Sequence, residues 1–564
     1  MPHAPIRRRA LLAVGGLVAA ASLAACGTRL PDSAFPATSV QTAGGSPAAD
    51  GAATAAGTDP AADPGLAALA SPGAPAGSIA GSGPAGAAGD GGAAAPLAGT
   101  VTGPEAAGGS QGTGTGTGTK GATKGVTKGG STTGSTGGGT KAAPTQGGTA
   151  AAVNPASDRG VTPTTITVCN IVTRGGPFGP DQFTPSLYGA AAFFADLNAH
   201  GGVGGRQVVV KSHPDDGTSS GDDTQVHTCI DEEKAFAFVG NNIYQYGGVS
   251  YQESQDVPDI GAQPISTAYY TYPHLYSVLG VQTPRDGTHT GYDGTGYGTA
   301  EQGEFFKQRV GVTHVGVVYY DQASSQYGAT EIGGSLEAAG LTVTSYPVNL
   351  GLPNFSSVVA QMQSDGVDGV ADALDLNGNQ KLCQAVESSS GFLTQMKAKI
   401  STTASWNQSV GSDFASTPGC RGKIYVDGNT WSYADPGGNA QVAAFRAAMT
   451  RYFPSQAGHL AEWSLEGWAG AMWFTDAVRS CGANLTRACV EAYLDRPAYW
   501  DSKGLMLSDE SFEVYPVSYY NSPTTHCVSA AQWDNAAGTW VTRAQIGRDC
   551  FSAPGYPYAF SPPS

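Results

Sequence analysis

From about residue 158 onward, short β-branched runs alternate with stretches of helical periodicity. Thr164–Val172 (TITVCNIVT) is nearly all apolar or β-branched and lies between Gly and Pro, the pattern of a buried strand. Ser186–Ala199 places Leu187, Ala190, Ala191, Phe194 and Leu197 on one helical face, and Gly201-Gly202 ends it. Strands follow at Gln207–Lys211, Ala235–Val239 and Asp259–Ala262, with helices near Asp223–Glu233 and Val249–Asp256. The alternation resumes with a helix near Gly298–Arg309 and a strand at His314–Tyr320. It continues through Ala329–Ala339, Leu341–Tyr346, Phe355–Ser364, Gly369–Leu374, Asn379–Ser389, Lys399–Ser401 and Ile424–Val426. This βαβα order predicts parallel sheets with helices on both faces. Helices are then expected at Asn439–Tyr452, Leu460–Arg479 and Thr486–Leu494, the middle one apolar enough to be central. Beyond Trp500 the signal is β-like, at Phe512–Tyr519, Val528–Trp533 and Thr539–Thr542, with Asn535–Gly538 as a turn.

The first 157 residues are different material. Arg7-Arg8-Arg9 precedes sixteen uncharged residues, Ala10–Ala25, and then Leu23-Ala24-Ala25-Cys26 reads as a lipobox. That stretch is short of the roughly 20 apolar residues a membrane span needs. Residues 1–25 are therefore expected to be a lipoprotein signal peptide, with Cys26 carrying lipid. Arg8-Arg9-Ala10-Leu11-Leu12 is a loose twin-arginine match, but a disulfide-bonded product favours the general secretory route. From Cys26 to about residue 157 the chain is Ala, Gly, Thr, Ser and Pro with no aromatic after Phe35. Such a segment cannot bury enough apolar surface to offset its chain entropy, so a disordered spacer is expected, with a reach of roughly 60–70 Å.

Residues 158–564 carry 21 basic and 39 acidic side chains. That balance speaks against nucleic acid, which needs basic surface. About 400 residues exceed what one core serves, so two lobes are expected. Eight cysteines remain after Cys26: Cys169, Cys229, Cys383, Cys420, Cys481, Cys489, Cys527 and Cys550. An even number in an exported chain predicts disulfides, and 105 pairings are open. Pairing of neighbours is the expectation taken here: 169–229, 383–420, 481–489 and 527–550. No CxxC or Cys/His cluster points to a metal, and HExxH, GxSxG and GxxxxGK[ST] are absent. No cofactor is expected, and catalysis is not.

The segment SLYGAAAFFADLNAHGGVGGRQVVVKSHPDD (Ser186–Asp216) resembles the solute-binding proteins of branched-chain amino-acid-type ABC transporters. The resemblance rests on Asn198, Gly201, Gly202, Val203, Gly205, Arg206 and Asp215-Asp216. It extends through AFAFVGN (Ala235–Asn241), Thr313–Val343 and Asn354–Leu374, over about residues 160–500. The Cys-rich tail from about 505 matches less well.

Membership of that family implies two doubly wound parallel-sheet lobes joined by three crossovers, a type I periplasmic binding protein, with ligand between the lobes. The disulfide-rich tail would add β structure. The crossovers are placed near Pro284–Gly287, Gly428–Thr430 and Ser508–Glu513. Lobe 1 is then about 160–285 and 430–507, and lobe 2 about 286–429 and 508–564. By position after the strands, the cleft residues are expected to be Gly175, Phe178, Phe183, Asn242, Tyr244, Tyr246, Gln263, Ser266 and Thr267. Tyr327, Asp375, Asn377 and Trp406 would face them from the second lobe. The family's serine-rich loop is here Asn-Asn-Ile-Tyr, and no acidic residue near Trp406 offers to hold an ammonium. With Tyr269, Tyr270 and Tyr272 nearby, aromatic walls predict a flat or apolar solute, amino-acid-like or an aromatic carboxylate. The implied partner is an ABC permease, with lipid on Cys26 holding the protein outside the membrane. A sensor of the same fold and a secreted wall enzyme are the alternatives.

Overall fold

The computed structural model describes residues 154–175, 182–279, 295–495, 500–506 and 524–559. Cys26, Phe178 and the expected strand at 512–519 lie outside them, as do the first and third expected crossovers.

The first sheet is β1 (Thr165–Asn170), β2 (Gln207–Ser212), β3 (Ala237–Val239), β4 (Asp259–Gly261) and β5 (Leu275–Ser277), in the order β2-β1-β3-β4-β5. Every pairing in it is parallel. Its helices are α1 (Thr184–Ala199), α2 (Ser219–His227) and α3 (Val249–Ser254). The second sheet takes β7 (His314–Tyr320), β8 (Thr342–Val348), β9 (Gly369–Ala373), β10 (Ala398–Ser401) and β11 (Ile424–Gly428). Around them lie α4 (Ala323–Ala338), α5 (Phe355–Ser364) and α6 (Leu376–Ser388). Its order is β14-β13-β11-β10-β9-β7-β8, with the hairpin β13 (Ser529–Asp534) and β14 (Thr539–Ala544) antiparallel on the β11 edge. Asp534 makes that hairpin turn by accepting the N–H of Ala536 and Ala537 through Oδ1, at 2.8 and 2.9 Å.

Between these runs the chain returns to the first sheet as α7 (Ala440–Tyr452), α8 (Glu462–Cys481) and α9 (Arg487–Leu494). In α8, 16 of the 20 residues are buried, so it is a core helix and not a surface one. It packs on α1 at very short range. A Cβ on Gly189 would sit 1.8 Å from the Ser464 carbonyl oxygen, and one on Gly467 2.0 Å from that of Ser186. The two glycines let the backbones meet, which aligns both helix starts at the carboxyl edge of the sheet.

Four disulfides join sequence neighbours: Cys169–Cys229, Cys383–Cys420, Cys481–Cys489 and Cys527–Cys550. The last lies across β12 (Thr524–Cys527) and β15 (Cys550–Ala553), with the two cysteines directly opposed. The expected helix from Gly298 is corrected. Thr295–Thr299 is a strand, β6, paired antiparallel with β16 (Gly555–Ala559), and helix begins only at Glu301. Gly298 is needed there because Tyr556 lies over it, 2.5 Å from where its Cβ would be.

At the middle crossover, β11 ends at Gly428 and the next two N–H groups, of Asn429 and Thr430, donate to Glu462 Oε1 at 2.8 and 3.1 Å. Thr430 also bridges Met506, and its carbonyl accepts from Ser529 Oγ at 2.6 Å.

Candidate functional site

The carboxyl edge of the first sheet sorts side chains by alternation. Beyond β1, Val172 pairs in parallel register with Asn242, and Thr173 with Asp215. Thr173 Oγ1 donates to Asp215 Oδ2 at 3.0 Å and accepts the Tyr244 N–H at 3.0 Å, which fixes both loops. Asn241 points to one face. It accepts the Ile171 N–H at 2.7 Å and donates to Asp259 at 2.9 Å. The hydroxyls of Tyr246 and Tyr269 donate to the same Asp259 oxygen, each at 2.8 Å. Tyr246, expected in the cleft, is therefore part of the lobe core, where it also meets Gln252.

The opposite face holds Val172 and Tyr244, packed with Phe183, Leu187, Trp463, Ile265 and, from beyond β10, Ala404. Phe183 and Trp463 stack with centroids 5.6 Å apart at 14°. Register puts Asn242 on this face, since parallel partners share a face and Val172 is its partner. Asn242 is 0 % exposed, and neither its amide nitrogen nor its oxygen has a partner among the described residues. A buried amide with both groups unmet is costly, and such groups mark places where a ligand or water completes the site.

The second sheet meets this face through the loop after β10. Trp463 Nε1 donates to Thr403 Oγ1 at 3.0 Å, and the Glu462 N–H donates to the Trp406 carbonyl at 2.9 Å. Gln408 N–H reaches the Leu460 carbonyl at 2.8 Å. Trp406 itself is fully buried, with its Nε1 unpartnered.

Several expected residues are engaged otherwise. Asp375 caps α6, accepting the Gly378 N–H at 2.9 Å and the Tyr320 hydroxyl at 2.6 Å. Ser266 accepts the Ala268 N–H at 3.3 Å at the start of a short 3-10 turn that Thr267 begins. Asn377 is exposed on the first turn of α6, and Tyr327 is half-buried in α4. Gly175 lies against Asp216, whose carbonyl oxygen would be 2.3 Å from a Cβ there, so a close backbone approach accounts for the glycine.

The expectation of no acid near Trp406 is overturned. Glu462 and Glu466 are both fully buried on α8. A Cβ on Gly428 would touch Glu462 Oε1 at 2.7 Å and Trp406 Cζ3 at 2.8 Å, which places acid and indole side by side. Oε1 of Glu462 holds the crossover, and the Glu462 carboxyl also meets that of Glu466 one turn on. Gln263, with its amide turned to donate, reaches Glu466 Oε1 at 2.9 Å and Oε2 at 3.2 Å. Burial pushes the Glu462 carboxyl up, and it pushes Asp427 on β11 up to about 7. Glu462 and Glu466 lie 56 and 60 residues from Trp406 in sequence. The signal that could have found them is two glutamates four apart in an otherwise apolar helix.

Asp259 is lifted to about 6, chiefly by burial. A carboxyl raised above its ordinary value holds its proton in the folded state where the unfolded chain has released it. Its contribution to stability therefore falls as pH rises from about 4 to the folded-state value. Asp427→Asn should accordingly gain stability over wild type, and more at pH 8 than at pH 5, by urea midpoint. An equal difference at both values contradicts the assignment.

The fold also brings His213 to Cys169 and Cys229, within 4.8 Å of both sulfurs. The two sulfurs are bonded to each other, so no thiolate pair is presented to a metal.

A family model described as periplasmic binding protein matches residues 165–538. A comparison with curated sequences finds no match. Among solved structures, a leucine-binding protein from Thermotoga maritima is similar at TM-score 0.51 and 13% identity, covering 67% of this chain and 98% of that one. A solute-binding protein from R. palustris in complex with benzoate matches at TM-score 0.50 and 13% identity, covering 69% and 98%. A fatty acid ABC transporter substrate-binding protein from Thermomonospora curvata matches at 0.50 and 16%, covering 70% and 94%. Periplasmic binding proteins are extracytoplasmic, and no helix among the described residues is long and apolar enough to cross a membrane. With two parallel-sheet lobes and a family match over most of its folded length, this chain belongs to the periplasmic binding protein family and has the type I fold.

Proposed function

We propose that the chain is a membrane-tethered solute-binding lipoprotein that captures a small molecule between its lobes and delivers it to an ABC permease. Lobe 1 is taken as about 160–285 with 430–507, and lobe 2 as 286–429 with 508–564. Lipid on Cys26 and the Gly/Ala-rich spacer hold the domain outside the membrane. The observation that carries the reading is the aromatic face at the carboxyl edge of the first sheet. It combines Phe183, Tyr244 and Trp463 with Ala404 from the second lobe around the unmet amide of Asn242. Ligands of open α/β sheets bind beyond this edge. Solute contacts made by both lobes exist only when the lobes are together, so binding favours closure. No step of this scheme needs a cofactor or a chemical reaction.

Thermal denaturation of the full chain against amino acids, aromatic acids, fatty acids and amines tests the reading. A bound solute at a hundred times its Kd adds about 2.7 kcal/mol to the folded state, a readily measured shift. Absence of a shift with every solute contradicts it.

A further inference from the structure

Among the four disulfides, one has a third donor beside it. Cys169, His213 and Cys229 offer two sulfurs and an imidazole nitrogen that all lie within 4.8 Å of one another, and no other group of three such donors occurs among the described residues. The sheet places two of them. Cys169 on β1 is in register with Lys211 on β2, and His213, two residues on, shares that face. The His213 N–H donates to the Asn170 carbonyl at 3.0 Å, which continues the ladder past the end of β2. Cys229 is brought to the same face by a single π-helical turn, Thr228–Glu232, that extends α2.

The surroundings suit an ion held by thiolates. Both sulfurs belong to fully buried residues in the cluster of Ile171, Val226, Ile230 and Phe238. The His213 side chain is 23% exposed, so the imidazole is the side from which an ion enters. Glu233 follows the π-helical turn, with Oε1 3.6 Å from His213 Nε2 and Oε2 3.0 Å from Lys211 Nζ. A carboxylate beside one ring nitrogen orients the imidazole as a ligand. In an apolar pocket two free thiols stay protonated, because burial penalises the thiolate. A divalent ion reverses that balance, since it cancels both thiolate charges and leaves a neutral centre. Tetrahedral zinc, with bonds of about 2.3 Å to sulfur and about 2.0 Å to nitrogen, sets such donors roughly 3.5–3.8 Å apart. Opening the S–S bond lets the sulfurs part to that spacing.

We propose that the dithiol form of Cys169 and Cys229 binds a thiophilic divalent ion, zinc or cadmium, with His213 as the third ligand. Ion and disulfide are then alternative staples between β1, β2 and the end of α2. Each chain is made with thiols, and a dithiol reductant can return it to them. That reductant supplies two electrons and two protons and becomes a disulfide itself. Uptake of the ion is not a redox step: each thiol gives its proton to solvent and its sulfur electron pair to the metal.

The test is titration of the full chain, reduced with a phosphine and freed of it without oxygen, with Co2+ as the spectroscopic probe and Zn2+ as competitor. The reduced chain should show the visible bands and sulfur-to-cobalt charge transfer of a tetrahedral thiolate site, bleached by Zn2+. Cys169→Ser with Cys229→Ser should abolish these bands, and Cys481→Ser with Cys489→Ser should leave them. His213→Ala should weaken uptake by about tenfold or more. Because full reduction opens all four disulfides, a second variant keeps the other three. Cys229→Asp, without reductant, presents thiol, imidazole and carboxylate, and Zn2+ should raise its melting temperature but not that of the oxidised wild type. The assignment is overturned if neither the reduced chain nor Cys229→Asp takes up the ion, or if His213→Ala leaves uptake unchanged.

Discussion

Replacing Asp372 by Ala should cost the folded chain about 3–5 kcal/mol. Asp372 and Lys399 are each 1 % exposed, on the adjacent strands β9 and β10, with Lys399 Nζ 2.7 Å from Asp372 Oδ2. The ammonium also donates to Ser401 Oγ at 2.5 Å and to Asn379 on α6. Removing the carboxylate leaves a buried ammonium held by neutral oxygens alone, and a lone buried charge costs far more than a lost surface pair. Replacing both partners, as Asp372→Leu with Lys399→Met, should recover most of the loss, because desolvation of the two charges is removed with their attraction. Urea unfolding of the three proteins decides it. A loss below about 1 kcal/mol in Asp372→Ala, the size of an exposed pair, would contradict the buried ion pair.

Arg206→Ala should cost about 3–6 kcal/mol, from three backbone carbonyls left without donors at roughly 1–2 kcal/mol each. Arg206 is 1 % exposed. Its Nε donates to the Thr162 carbonyl at 2.9 Å, and Nη2 to those of Pro155 and Ala483 at 2.9 and 2.8 Å. It therefore ties the start of the folded domain to the chain just beyond α8. Arg206→Lys should lose nearly as much, since a single ammonium cannot span three carbonyls aligned for a planar fork. Denaturant midpoints measure both. A lysine variant as stable as wild type contradicts the tether.

The stretch Gly201–Arg206 carries a family resemblance, yet its role here is architectural. Gly202 has φ +76°, with a Cβ position 1.9 Å from the Arg206 carbonyl oxygen, and Asn198 bonds both backbone groups of Val208. Regular periodicity made the main elements legible: His314–Tyr320 and Phe355–Ser364 are strand and helix over the residues that their patterns mark. Strands such as Thr295–Thr299 (TGYGT) and Gly555–Ala559 (GYPYA) were not legible. The first overlaps the helix expected from Gly298, and the Gly and Pro in the pair give neither segment a strand pattern of its own until they meet. In the site, alternation is decisive and one sequence cannot reveal it. Asn241 and Tyr246 turn inward to Asp259, while Asn242 and Tyr244 lie on the face of Trp463. Glu462 and Glu466 escaped notice because proximity to Trp406 is created by the crossover, which the helix start itself pins.

Capture of a solute between two lobes requires that the lobes close on it. Fluorophores at Ser250 on α3 and Ser356 on α5, introduced through genetically encoded unnatural amino acids to spare the disulfides, report the distance between lobes. Both side chains are exposed. With a solute that raises the melting temperature, this distance should shorten and saturate with solute concentration, in step with binding measured by calorimetry. A distance that stays constant while that solute binds would contradict it.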